Sequence, residues 1–222
     1  MQRAFRSILA RSAAIPLASF AVGIFALASS SSAATETAVF AGGCFWCVES
    51  DFDQVDGVLE TISGFSGGET KNPTYRQVTG GGTGHLEAVQ ITFDPNAVTF
   101  RELVDLFWRS VDPTDDGGQF CDRGHSYTTA VFVNGESLRR EAELSRADAQ
   151  ESLGMSIVTP IRDAAEFYPA EDKHQNYYMG TNLVLTRFGI ISQAKAYKRY
   201  RESCGRDARV RHLWGEQASF AH

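Results

Sequence analysis

Apolar positions follow short strand-like runs and one clear helical period. Thr37 to Phe40 is β-prone and ends at Ala41-Gly42-Gly43. A helix follows, from about Cys44 to Gln54. Val58 to Phe65 reads as a second strand, closed by Gly67-Gly68, and Leu86 to Phe93 as a third, ended by Asp94-Pro95. Thr99 and Glu102 form a capping box. Behind it Phe100, Leu103, Val104 and Phe107 recur at i, i+3, i+4, i+7, the spacing of an amphipathic helix. Tyr127 to Val133 is a fourth strand, and a polar helix runs from Ser137 to Leu153 and stops at Gly154. Met155 to Ile161 reads as an edge strand, because Pro160 has no N–H for a ladder. The order β-α-β-β-α-β predicts an α/β (α+β) fold: a two-layer, ferredoxin-like split βαβ core with helices on one face. Beyond Asp163 the pattern weakens into a long, partly irregular wrap with short helical pieces.

Composition narrows the class. The chain has 222 residues, 43% of them hydrophobic and 22% charged, enough for a core without disulfide staples. A net charge of −6 gives no electrostatic case for nucleic acid. Residues 1–34 contain no Asp or Glu. Arg3, Arg6 and Arg11 precede an apolar run from Ala13 to Ala28, and small residues lead to Ser32-Ala33-Ala34. That order reads as a secretory signal peptide, leaving one domain over 35–222 with the periplasm as its expected destination. The alternatives are an uncleaved membrane anchor or an organellar transit peptide. The mature chain holds no other stretch able to span a bilayer.

Two of the four cysteines, Cys44 and Cys47, flank Phe45-Trp46 just after the glycine pair. So short a loop is a poor staple, so the pair is chemical rather than structural. A helix beginning at Cys44 aims N–H groups at its sulfur and favours the thiolate. Adjacent helical residues diverge by about 100°, so Phe45 and Trp46 cannot both face the core, and one lines a site. Alternation places Glu87 on the face of Val89, Ile91 and Phe93. Buried there, its carboxyl would stay protonated and serve as a general acid. A twist at the strand's start would leave it solvated instead, and the pattern alone does not choose. Tyr75, Asp122 and Tyr127 sit after a turn, in a loop and at the start of a strand. Their hydroxyls and carboxylate suit binding an oxygen and its protons. The glycine-rich Thr79–His85 segment lacks the Lys of a phosphate-binding loop, and Cys44, Cys47, Cys121 and a histidine lack zinc-site spacing. On the residues alone, two other classes stand beside a thiol enzyme with its own substrate. One is a general thiol–disulfide oxidoreductase using Cys44 and Cys47. The other is a secreted domain with two structural disulfides.

Six segments occur in one order: GGCFWCVE, SGFSGG, NPTYRQV, TGHLEAVQITFDP, FWRSVDPTDDGGQFCDRGHSY and AEDKHQNYY. Together they resemble peptide methionine sulfoxide reductase A, in the subgroup with Cys-Phe-Trp-Cys, over Ala38 to Gly215. The resemblance implies that Cys44 is the nucleophile and that Phe45 and Trp46 hold the substrate methyl group. It implies that Glu87 protonates the sulfoxide oxygen, with Tyr75, Asp122 and Tyr127 binding it. It implies specificity for the S epimer, a sulfenic acid on Cys44, an intramolecular disulfide and recycling by a thioredoxin-like dithiol, with no metal or other cofactor. Cys47 is the expected resolving thiol, with Cys204 in the tail as the alternative. Cys121 is either a bystander or a structural partner of Cys204. A monomer that acts on oxidised methionine, free or in proteins, completes the expectation.

Overall fold

A computed structural model of the chain describes residues 34–221, so the expected leader over 1–34 lies almost wholly outside the described residues. Strand β1 (Glu36–Gly42) leads to helix α1 (Phe45–Phe52), then β2 (Val58–Ser66) and a one-turn helix α2 (Tyr75–Thr79). Strand β3 (Leu86–Phe93) and helix α3 (Phe100–Trp108) follow. Two short strands, β4 (Gly118–Gln119) and β5 (Asp122–Arg123), precede β6 (Thr129–Val133) and helix α4 (Glu136–Leu153). The remainder is β7 (Ile161–Asp163), β8 (Phe167–Pro169), the hairpin β9 (Leu183–Thr186) and β10 (Gly189–Ser192), and helices α5 (Gln193–Ser203) and α6 (Arg206–Trp214).

The main sheet has six strands in the order β7-β6-β1-β3-β2-β8. Its centre, β6-β1-β3-β2, is antiparallel throughout, as a split βαβ unit requires. Alternation divides the side chains cleanly. Phe40, Val89, Ile91, Phe93 and Val131 meet Val48 and Phe52 of α1 and Val104 and Phe107 of α3 in the main core. The opposite face holds a smaller cluster of Ala41, Leu86, Ala88, Ala130 and Phe132. Helix α4 lies outside α3, tied by the Trp108 indole N–H donating to Ser145 Oγ at 2.8 Å. The capping box is formed: Thr99 Oγ1 accepts from the Glu102 N–H, and Glu102 accepts from the Thr99 N–H.

Four expectations are corrected. The edge strand after α4 is Ile161–Asp163, not Met155–Ile161, and it runs parallel to β6. Pro160 sits just before it and serves only as an acceptor, taking the Val131 N–H at 3.1 Å. Tyr127 ends a 3-10 turn (His125–Tyr127) instead of opening β6. Tyr75 does not merely follow a turn: it opens α2, whose own capping box is Thr74 and Gln77. The C-terminal wrap is also far more regular than its sequence indicates. Its helices α5 and α6 bury Gln193, Ala196 and Arg201, and Arg206, Val210 and Trp214, so their inner faces carry no apolar period to read.

Candidate active site

The N-terminus of α1 is set by two glycines. A Cβ on Gly42 would lie 2.7 Å from Val48 Cγ2, so helix and strand approach too closely for any side chain. Gly43 has φ +80°, and a Cβ there would meet Gln119 Cβ at 2.5 Å. Gln119 is itself fixed, accepting the Asp112 N–H and donating to the Asp112 carbonyl, each at 2.8 Å. The chain thus turns tightly and delivers Cys44 as the N-cap residue of α1, with Cys47 one turn further on.

Cys44, Cys47, Trp46, Tyr75, Glu87, Asp122, Tyr127 and Cys204 all line one cavity of about 400 Å³. Phe45 does not. It is buried against Phe65 at 5.9 Å, so of the two expected methyl-pocket residues only Trp46 faces the cavity. Phe45 reaches the chemistry through its backbone, its N–H donating to Glu87 Oε2 at 3.0 Å. Glu87 stands where alternation puts it, inward on β3 opposite Phe65 and 1% exposed. Burial, then the carboxylate of Asp122, push its pKa up to about 8, against the Phe45 N–H, which lowers it. Glu87 Oε1 has no partner. Burial therefore favours the neutral carboxyl at pH 7, and the Phe45 N–H on Oε2 leaves Oε1 free to carry its proton.

The hydroxyls of Tyr75 and Tyr127 interact with each other, and burial beside Glu87 keeps both protonated far above neutrality. Burial also raises Asp122, against the pull of Arg206. The two free thiols share a proton. The hydrogen bond from Cys44 and the nearby Arg206 and Arg201 lower Cys47 to about 7, against burial. Cys44 is pushed well up by its hydrogen bond to Cys47, by burial, and by the negative charges of Cys47, Glu87 and Asp122. The pair titrates as a unit, and once it has lost one proton a transfer from Cys44 to Cys47 makes the outer sulfur nucleophilic.

The sequence pattern missed the support of this cavity. Arg201 is buried, donating to Asp51 Oδ1 at 2.7 Å and Asp207 Oδ1 at 2.8 Å. Arg206 donates to the Ser110 carbonyl at 2.8 Å and lies 4.8 Å over the Phe120 ring. His174 stacks on Tyr75 at 4.2 Å, and Tyr177 stacks on Trp46 at 3.7 Å. Both come from the AEDKHQNYY segment, where nothing but the family likeness marked them. Glu49 of α1 holds that segment by accepting the Asn176 N–H at 2.9 Å, and burial raises its pKa to about 7. Cys204 is bonded to Cys121 across 83 residues, and both sulfurs belong to the cavity wall. Of the two readings of Cys121, partner of Cys204 is the observed one. Among the described residues no group of three or more His, Cys, Asp or Glu is arranged to hold a metal ion.

Paired thiols that share a proton beside a protonated carboxyl are the working parts of a thiol-based oxidoreductase, the class that this fold and cavity define. Comparison with known proteins gives the family. The family model for peptide methionine sulfoxide reductase matches residues 36–214. A protein called peptide methionine sulfoxide reductase MsrA 2, from Rhizobium meliloti, is 47% identical over 199 residues, covering 90% of this chain and 93% of that protein. Another of the same name from Caulobacter vibrioides is 50% identical over 182 residues, covering 82% and 86%. Among solved structures, Mxr1 of Saccharomyces cerevisiae in reduced form is similar with a TM-score of 0.62 at 30% identity, over 65% of this chain and 84% of that one. Methionine sulfoxide reductase A of Corynebacterium diphtheriae gives 0.59 at 36%, over 65% and 74%. The chain belongs to the peptide methionine sulfoxide reductase family and is an enzyme that reduces methionine sulfoxide.

Proposed function

We propose that Cys44 attacks the sulfur of an S-epimer methionine sulfoxide while Glu87 Oε1 delivers its proton to the oxygen. The observation that carries this reading is Glu87 Oε1, buried and without a partner in the wall of the cavity onto which Cys44 opens. Tyr75 and Tyr127, protonated at every working pH, hold the same oxygen, with Asp122 beside them. Trp46, braced by Tyr177, forms the apolar wall for the methyl group. Phe45 serves by fixing Glu87 through its N–H. In the first step the substrate S–O bond breaks and the oxygen ends on Cys44 as sulfenic acid. The substrate sulfur gains two electrons and the Cys44 sulfur loses two.

Cys47 then attacks Cys44. A sulfur–sulfur bond forms and the oxygen departs as water. Two features support Cys47 as the resolving thiol. It lies one helical turn from Cys44, and Cys204 is already bonded to Cys121. A thioredoxin-like dithiol restores the pair by exchange. Peptide mapping after a single turnover tests the scheme: one equivalent of methionine should appear together with a Cys44–Cys47 bridge. Cys47→Ser should still release that equivalent and then stall with a thioredoxin system. A first bridge from Cys44 to Cys121 or Cys204 would reject Cys47.

A further inference from the structure

Hairpin β9–β10 breaks the ordinary rule for a surface ribbon. Ile190 pairs with Leu185 and Ser192 with Leu183, so Leu183, Leu185 and Ile190 share one face. That face is open: the three side chains are 73%, 84% and 69% exposed. The half-buried side chains Val184, Thr186 and Ile191 lie on the other face. Three large aliphatic residues held together in water mark a contact surface rather than scattered exposure. The ribbon is also anchored. The guanidinium of Arg187, in the turn between the strands, stacks on Phe188 at 4.8 Å and on Tyr200 of α5 at 5.1 Å. Most telling is its position. Leu185, Thr186 and Arg187 line the same cavity as Cys44 and Glu87, so the apolar face runs outward from the cavity rim.

We propose that this face is the docking strip for unfolded polypeptide on either side of the oxidised methionine. The inference rests on the proposed chemistry of the cavity, and it adds what sits outside it. Methionine is mostly an interior residue, so its chain neighbours in an unfolded protein include other apolar side chains. An extended chain advances about 3.3 Å per residue. With the sulfoxide in the cavity, neighbouring side chains pass the rim at Leu185 and then meet Leu183 and Ile190 on the same face. The strip binds substrates that have such neighbours and is idle for a lone amino acid.

The test compares peroxide-oxidised β-casein with N-acetylmethionine sulfoxide, using the mature chain and a double variant, Leu183→Ser with Ile190→Ser. Neither residue lines the cavity. Oxidised casein should lose about tenfold in kcat/KM, while the small substrate stays within about twofold. Leu183→Val with Ile190→Val should restore most of the difference, and melting curves should coincide. Equal losses on both substrates, or no loss on either, would overturn the strip. So would a change confined to the KM of the reductant, which would make the face the reductant's seat. A sedimentation shift between wild type and variant would give it to a second copy of the chain. A wild-type enzyme inert on both substrates would instead defeat the proposed chemistry.

Discussion

Glu87 and the thiol pair set opposite limits on pH. The pair must have lost a proton, which happens at about 7, and Glu87 must have kept its own, which it does up to about 8. Single-turnover rates should follow a narrow bell between those values. Glu87→Gln should remove the alkaline limb and slow the step by roughly 10²–10⁴-fold. The same proton affects stability. The folded pKa of Glu87 is raised from 4.5 to about 8, so between those values the folded state holds a proton that the unfolded chain has released. The stabilisation is fully present below 4.5 and is lost as pH rises through 8. Denaturant titrations at pH 5, 6 and 7 should show stability falling, by at most about 1.4 kcal/mol per pH unit for this one group. Glu49, raised to about 7, adds to the slope below that pH. In Glu87→Gln the decline should shrink to the part due to the other raised carboxyls, Glu49, Asp51 and Asp122. An identical slope would mean that Glu87 is ionised in the folded protein.

At the scale of elements, legibility followed the depth of the apolar period. Strand β3 was readable because its inner face is Val89, Ile91 and Phe93, and that pattern offered Glu87 an inward place before any coordinates. Helix α3 announced itself by its cap and its four apolar positions. Helices α5 and α6 did not, because their buried positions include Gln193, Arg201 and Arg206, which are satisfied by Asp51, Asp207 and backbone carbonyls rather than by apolar contacts. The same gap hid the charges around the thiols. The helix N-terminus beside Cys44 is readable in the motif, whereas the guanidiniums of Arg206 and Arg201 that lower Cys47 come from more than 150 residues away in sequence. Phe45 stands one layer behind the cavity, packed against Phe65, His174 and the lining residues Tyr75 and Trp46. The docking function of the β9–β10 hairpin belongs to this scale too, since it depends on the register that gathers Leu183, Leu185 and Ile190 on one face.

For the whole molecule, the bond from Cys121 to Cys204 joins the loop that carries Asp122 to the junction of α5 and α6. It closes a long loop of chain, and such closures contribute roughly 2–4 kcal/mol to stability. Cys121→Ser with Cys204→Ser should lower the unfolding free energy by that amount. The first turnover should survive, because Cys44 and Cys47 are untouched. A double variant that releases no methionine in a single turnover would show that the bond belongs to the chemistry and not only to the frame. No helix among the described residues is long and apolar enough to cross a membrane. The bond has one more effect. Arg187 stands exposed at the tip of the β9–β10 hairpin, inside the stretch that the two sulfurs enclose. A trypsin-like protease that cuts after it opens a ring rather than severing a thread, and the two pieces stay one covalent body until a reductant parts them.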